Sequence, residues 1–118
     1  MGMKLSICHA DNACYLTLVG EIDSLSAGLI KDKIQGQIEG RMFNIVVDLT
    51  KVKFMDSAGL GVLVSGLKLC SKNGGDLVLV GVSDNVRELF HITRLDTVFK
   101  MYPDKASAAS VFGNSLSE

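Results

Sequence analysis

No apolar run in this sequence approaches the roughly 18 residues needed to span a bilayer. The most apolar stretch, Ala58 to Leu67, is about half that length and is broken by glycines, so no membrane association is expected. A secretory signal is not expected either, because Met1 to Ser6 is followed by His9, Asp11 and Asn12 and not by an apolar core. The opening Met1-Gly2-Met3-Lys4-Leu5-Ser6 formally matches a myristoylation pattern at Gly2. The preferred reading is that Met3 is the native start and that Met1-Gly2 was added ahead of it. A basic excess is also missing: 12 Lys+Arg stand against 13 Asp+Glu, a formal charge of −1, which argues against a nucleic-acid binder. Cys8, Cys14 and Cys70 form no CxxC pair and are odd in number, so no disulfide framework is expected and a reducing cytoplasm is read. Each lies in an apolar segment, where a free thiol acts as a small hydrophobe. His9 and His91 lack the clustered partners of a zinc site, so neither a metal nor another cofactor is expected.

What is present suits one folded domain. The 118 residues are too few for two independent cores, and 47% hydrophobic against 21% charged residues excludes disorder. A mean hydropathy of +0.31 is high for a chain this small. Either both faces of a sheet are covered, or apolar surface is kept for a partner.

Lys4–Cys8 and Tyr15–Val19 are short apolar runs around His9 to Ala13 and read as a hairpin. After Gly20-Glu21-Ile22-Asp23, the residues Ala27, Ile30, Ile34 and Ile38 recur on one helical face. Asp23 or Ser24 can cap that helix and Gly40 can stop it. Gly28 and Gly36 inside it cost roughly 1 kcal/mol each against alanine, so packing must support it. Phe43 to Leu49 is nearly continuous apolar sequence, as in a strand buried on both faces. A polar connection, Thr50 to Lys53, is expected next, then a second helix from Ser57 to about Lys72 closed by Asn73-Gly74-Gly75. Leu77–Val80 reads as another interior strand. Ser83-Asp84-Asn85 opens a third helix with Val86, Leu89 and Phe90 inward, and Val98–Tyr102 reads as a short last strand. Pro103-Asp104 starts a terminal helix carrying Ala108, Val111 and Phe112, and 113–118 is expected to fray. Strands alternating with helices imply an α/β fold, and the hairpin makes its sheet mixed.

The second helix is the informative segment. Leu60, Leu63, Val64, Leu67 and Cys70 form a core stripe at helical spacing. From Ser57 through Leu67 there is no charge, and Ala58, Val62, Ser65, Gly66 and Leu69 form a second small or apolar stripe. Either another helix covers it, or it is a docking face. Ser57 falls at the cap or first turn, where Asp56-Ser57 can be read simply as satisfying backbone donors. The same place tolerates a phosphate, because helix N-termini carry free N–H groups and partial positive charge. Asp56 would oppose the new charge, so modification would change what docks more than how the chain folds.

Enzyme signatures are weak. Gly59-Leu60-Gly61-Val62-Leu63-Val64 lacks the third glycine of a dinucleotide fingerprint, and no GK[ST] completes a phosphate loop. Ser65-Gly66-Leu67-Lys68 matches S-x-x-K without its companion motifs. Nothing sets a histidine and an acid beside Ser57 for nucleophilic catalysis.

Several strings together carry a resemblance: Gly20-Glu21-Ile22-Asp23, Val46-Val47-Asp48-Leu49, and above all Phe54-Met55-Asp56-Ser57-Ala58-Gly59-Leu60-Gly61-Val62-Leu63. With Gly74-Gly75 and Leu95-Asp96-Thr97-Val98-Phe99, they make the sequence resemble the bacterial anti-sigma factor antagonists, single-domain members of the STAS family. The resemblance runs from about residue 4 to 112. It implies one STAS domain over 1–118, a mixed four- to five-stranded sheet flanked by about four helices. It also implies a partner switch and no catalytic activity. Ser57 corresponds to the family's phosphoacceptor, modified by an anti-sigma factor that is a serine kinase and restored by a PP2C-type phosphatase. The unphosphorylated form binds the kinase and frees a sigma factor. Glu21, Asp23 and Ser24 on one segment, and Asp56, Ser57, Ala58, Gly59, Leu60, Gly61 and Val62 on the other, match the partner-binding region. Many members carry a second Ser or Thr after the acceptor; here it is Ala58, which leaves the switch intact and removes a rival site. Two other readings stay open: a non-switching STAS scaffold or subunit of a transport or signalling complex, and a small nucleotide-binding domain.

Overall fold

A computed structural model describes residues 2–113, so Met1 and the expected frayed tail beyond Gly113 lie outside the described residues. β1 (Met3–Ala10) and β2 (Ala13–Ile22) form the expected hairpin. Its two loop residues, Asp11 and Asn12, have φ of 53° and 65°, the type I′ signature whose twist matches that of paired strands. α1 (Ser24–Glu39) follows, then β3 (Asn44–Met55), α2 (Ser57–Lys72), β4 (Asp76–Val80) and α3 (Asp84–Ile92). A 3-10 turn at Leu95–Thr97, a two-residue β5 (Met101–Tyr102) and α4 (Lys105–Gly113) complete the chain. The sheet order is β1-β2-β3-β4-β5, with β1 antiparallel to β2 and the other neighbours parallel.

β3 alternates its side chains between two cores. Ile45, Val47 and Leu49 join Leu16, Leu18, Leu77 and Leu79 under α1, α2 and α3, where Ile30, Ile34, Leu63 and Phe90 are buried. Val46 faces the other way, with Tyr15, Val78 and Val80, against Ala108 and Phe112 of α4. Both faces of the central strands are therefore covered, which accounts for the unbroken apolar run. On the α4 side, Asp48 is buried and accepts from the Thr50 N–H at 2.9 Å and its hydroxyl at 2.6 Å. The Lys105 ammonium lies 3.5 Å from its other oxygen and ties down the start of α4. Burial works to raise the Asp48 pKa, but the Thr50 hydrogen bonds and the Lys105 charge outweigh it and hold the carboxyl below its usual value.

Several expectations are corrected. Thr50–Lys53 is not a connection but part of β3, because β2 continues to Ile22 and needs Lys51 to Met55 as its ladder partner. The last strand is confined to Met101–Tyr102, since Leu95–Thr97 curls into a 3-10 turn that carries Phe99 inward against Phe90. Val111 is exposed on α4, and the helix takes in Gly113. Cys14 and Cys70 are buried, and burial pushes their thiols up to about 11 and about 12. Cys8 is exposed, because its side of β1 turns away from the core that Leu5 and Ile7 join.

Gly66 of α2 is a required close approach: a Cβ there would meet Leu77 Cδ1 at 2.9 Å and Ile34 Cδ1 at 3.1 Å. Its bareness lets α1 and α2 lie side by side on the sheet. Gly28 and Gly36 have no such role, since both are exposed and an added Cβ meets nothing within 4 Å. Gly28→Ala and Gly36→Ala are each expected to raise stability by about 0.5–1 kcal/mol in urea unfolding. Gly75→Ala, whose Cβ would strike the Phe43 carbonyl, is expected to lower it.

Candidate functional site

The site lies where β2 and β3 end together. Ile22 pairs with Met55, and one further bond runs from the Asp56 N–H to the Ile22 carbonyl at 3.1 Å. The next residue on each strand, Asp23 and Asp56, is extended and caps a helix. Asp23 Oδ1 accepts from the Leu25 and Ser26 N–H groups at 3.1 and 3.0 Å, and the Ser26 hydroxyl accepts from the Asp23 N–H at 2.8 Å. This reciprocal pair is a capping box with serine at its third position. Asp56 Oδ1 accepts from the Ala58 and Gly59 N–H groups at 2.9 and 3.2 Å. Two helix N-termini thus open at one end of the sheet, each already holding a carboxylate.

Ser24 and Ser57 are the first residues of their helices, and both are exposed. The cap is Asp56 and not Ser57, which leaves the Ser57 side chain free of a capping duty. Among the described residues, nothing hydrogen-bonds the Ser57 hydroxyl. Glu21 is exposed beside Phe54, its ladder partner. Asp23 is exposed, and hydrogen bonds from the Ser26 N–H and hydroxyl hold its carboxyl below the usual carboxylate range.

The structure separates the residues expected to bind a partner. Ala58 and Val62 are half-buried and Gly61 is exposed with nothing near an added Cβ. Gly59 and Leu60 face inward and are buried. A Cβ on Gly59 would sit 2.7 Å from both Ile22 and Met55, so its missing side chain seats the helix on the strand ends. Leu60 belongs to the main core. The second stripe of α2 is divided in the same way: Gly66 is covered by α1, Leu69 is half-buried and Ser65 is exposed.

Apolar groups that sequence reasoning passed over also stand here. Leu25 is 85% exposed and Leu29 55%, and they line a hollow of about 290 Å³ with Met3, Asp23 and Ser26. Phe54 is 51% exposed at the end of β3. The four-residue spacing of Leu25 and Leu29, off the Ala27-Ile30-Ile34 face, was the available signal. His9 bonds Gln37 through Nε2 at 2.7 Å, and His91 Nδ1 lies 2.9 Å from Asp96, so neither histidine reaches Ser57 in these contacts. Among the described residues, no cluster of His, Cys, Asp or Glu has the makings of a metal site, and no helix is long and apolar enough to cross a membrane.

Comparison with known proteins gives a consistent result. The STAS domain family model matches residues 4–108. An anti-sigma-B factor antagonist of Listeria monocytogenes is 36% identical over 84 residues, 71% of this chain and 74% of that protein. The anti-sigma-B factor antagonist of Bacillus subtilis is 33% identical over 98 residues, 83% of this chain and 89% of that one. Among solved structures, a crystal structure of a putative anti-sigma factor antagonist from Thermotoga maritima superposes with a TM-score of 0.87 at 27% identity, covering 92% of this chain and 93% of its own.

Removing the Asp56 carboxylate leaves two N–H groups at a partly buried helix start without their acceptor. Asp56→Ala is expected to cost about 1 kcal/mol in urea unfolding. Asp23 contributes through a lowered pKa, so its stabilisation is present above the unfolded carboxylate value and is lost as pH falls through the folded one. An acid titration of Asp23→Asn should accordingly show a shallower loss of stability than the parent chain.

Proposed function

The chain belongs to the STAS domain family and, within it, to the anti-sigma factor antagonists, and from that premise we infer that it works as a phosphorylation-controlled partner switch. Unphosphorylated at Ser57, it binds an anti-sigma factor that is a serine kinase, and the sigma factor held by that kinase is released. Transfer of the γ-phosphoryl group from ATP to the Ser57 hydroxyl ends the binding, and a PP2C-type phosphatase restores it by hydrolysis. The chain itself catalyses neither step.

The observation that carries this reading is the position of Ser57: exposed, unengaged and first in α2, next to an aspartate that already occupies the helix N-terminus. A phosphate there adds about −1.5 to −2 charge. Because Asp56 Oδ1 already takes the Ala58 and Gly59 N–H groups, those donors are not free to neutralise the phosphate inside the fold. The added charge is therefore left largely to solvent, and a partner that covers it must supply the counter-charge. The surface it borders is weakly polar, with Gly61 bare and Ala58 and Val62 half-buried. Docking there would desolvate an unpaired charge, and a loss of only about 1.4 kcal/mol already weakens binding tenfold. Glu21, Asp23 and Ser24, one strand away, lie at the same end of the sheet and are the residues proposed to meet the kinase beside Ser57. Gly59 and Leu60 take part by seating the helix.

Affinity capture from the native cell with wild-type and Ser57→Asp chains, followed by mass spectrometry of partners and of Ser57, tests this directly. Recovery of a serine-kinase anti-sigma factor with the wild type and not the variant is the expected result. In calorimetry with that partner, Ser57→Ala should keep full affinity and resist inactivation by ATP, while Ser57→Asp binds at least about tenfold more weakly. Equal binding by the two variants, or a Ser57 never phosphorylated alongside a shared transporter or scaffold, would retain the family and discard the switch.

A further inference from the structure

β1 ends the sheet on one side, and among the described residues no strand pairs with its outer edge. The turn sets the phase of its hydrogen bonds. In a two-residue hairpin of this type, the residues flanking the loop, Ala10 and Ala13, form a hydrogen-bonded pair. Stepping back by two along an unshifted register, Cys8, Ser6 and Lys4 bond to β2. The N–H and C=O groups of His9, Ile7, Leu5 and Met3 therefore point outward from the sheet. Natural edges are usually blunted by charge, proline or a bulge. This one has eight residues, no proline, no bulge in its register with β2, and Lys4 as its lone Lys, Arg, Asp or Glu.

We propose that the β1 edge is a self-association surface whose occupant is a second copy of this chain, paired antiparallel through β1 about a two-fold axis at Ser6. A strand pairing with its own copy must set outward-pointing residues against outward-pointing residues. An axis at Ser6 places Met3 against His9 of the second copy and Leu5 against Ile7, with symmetry repeating both, so every outward residue is used. Moving the axis to Leu5 strands His9, and moving it to Ile7 strands Met3. The same register settles the charge. Lys4 falls opposite Cys8 of the second copy and not opposite its own equivalent, which avoids a like-charge pair. Cys8 lines an open pocket of about 330 Å³ between the hairpin and α4, together with Asp11, Tyr15 and Lys105. Lys105 is engaged by Asp48 at 3.5 Å, so the Lys4 ammonium arrives at a rim where the counter-charge is the Asp11 carboxylate, which accepts the neutral Tyr15 hydroxyl at 3.0 Å through Oδ2 and has no cation paired to it among the described residues. This surface rests on β1 and the hairpin alone and does not depend on the role assigned to Ser57.

Sedimentation velocity of the full chain, from micromolar to sub-millimolar concentration, should show a reversible monomer–dimer equilibrium. Ser6 is exposed and central, so Ser6→Lys sets two ammonium groups face to face; it should raise the dimer dissociation constant several-fold and leave the monomer's melting temperature unchanged. In a Cys8→Ser background, Ser6→Cys should form a disulfide-linked dimer under mild oxidation, because residues facing one another in a non-hydrogen-bonded pair lie within disulfide reach. Lys4→Cys in that background should not. A chain that stays monomeric throughout, a dimer indifferent to Ser6→Lys, or equal cross-linking from positions 4 and 6 would overturn the proposal.

Discussion

The parallel ladder between β2 and β3 ends with Ile22 beside Met55 and is prolonged by one more bond, from the Asp56 N–H to the Ile22 carbonyl. The arrangement of the candidate site follows from this. Two strands that run in the same direction and stop at the same level must hand over to their next elements on the same side. Each next element is a helix, and each helix begins with backbone donors that the sheet no longer satisfies. Asp23 and Asp56 supply the acceptors, one through a capping box and one through a single carboxylate oxygen. Had β2 and β3 been antiparallel, those two helix starts would stand at opposite ends of the sheet.

Seating α2 on those strand ends imposes a second demand, on side-chain size. Gly59 fits against Ile22 and Met55, and Gly66 fits between Leu77 and Ile34, so the helix sits close to both the sheet and α1. Leu60, Leu63 and Cys70 fill the space below. Burying a leucine of this kind contributes about 1.5–3 kcal/mol, enough for α2 to be held by packing rather than by helix propensity. Lys68, Ser71 and Lys72 are exposed toward the C-terminus of α2, and toward its N-terminus the residues left outside are those the core has no use for: Ser57, Gly61 and Ser65. A surface that lacks charge and long side chains is the by-product, and it is the part of the helix against which a charge on Ser57 would be felt.

Much of the fold was legible because its signals are local. The hairpin, the bounds of α2, the serine cap of α3 and the Gly40 stop of α1 each depend on residues within a turn or two of one another. The continuation of β3 was not legible. Thr50-Lys51-Val52-Lys53 carries the polar character of a loop, and it is held extended by β2 after pairing with β4 has stopped at Asp48 and Val80. β5 shrinks for the converse reason, since it has only Leu79 and Val80 to pair with. The inward turn of Gly59 was hidden because a bare backbone reads alike whether a partner or the chain's own Ile22 approaches it.

Periodicity, caps and the Asp-Ser string were set by the sequence alone, since side-chain spacing and helix-end hydrogen bonds act over a few residues. They determined the α/β class, the core stripe of α2 and the place of Ser57 at a helix start. The tertiary structure decided which apolar residues are covered: Leu60 inside, Leu25, Leu29 and Phe54 outside, Cys8 turned away from the core that takes Cys14. It also decided that Asp23 and Asp56 begin neighbouring helices, although 33 positions separate their numbers. The reason is that strand register and layer packing are long-range choices, made by which surfaces meet and not by the residues beside a given position.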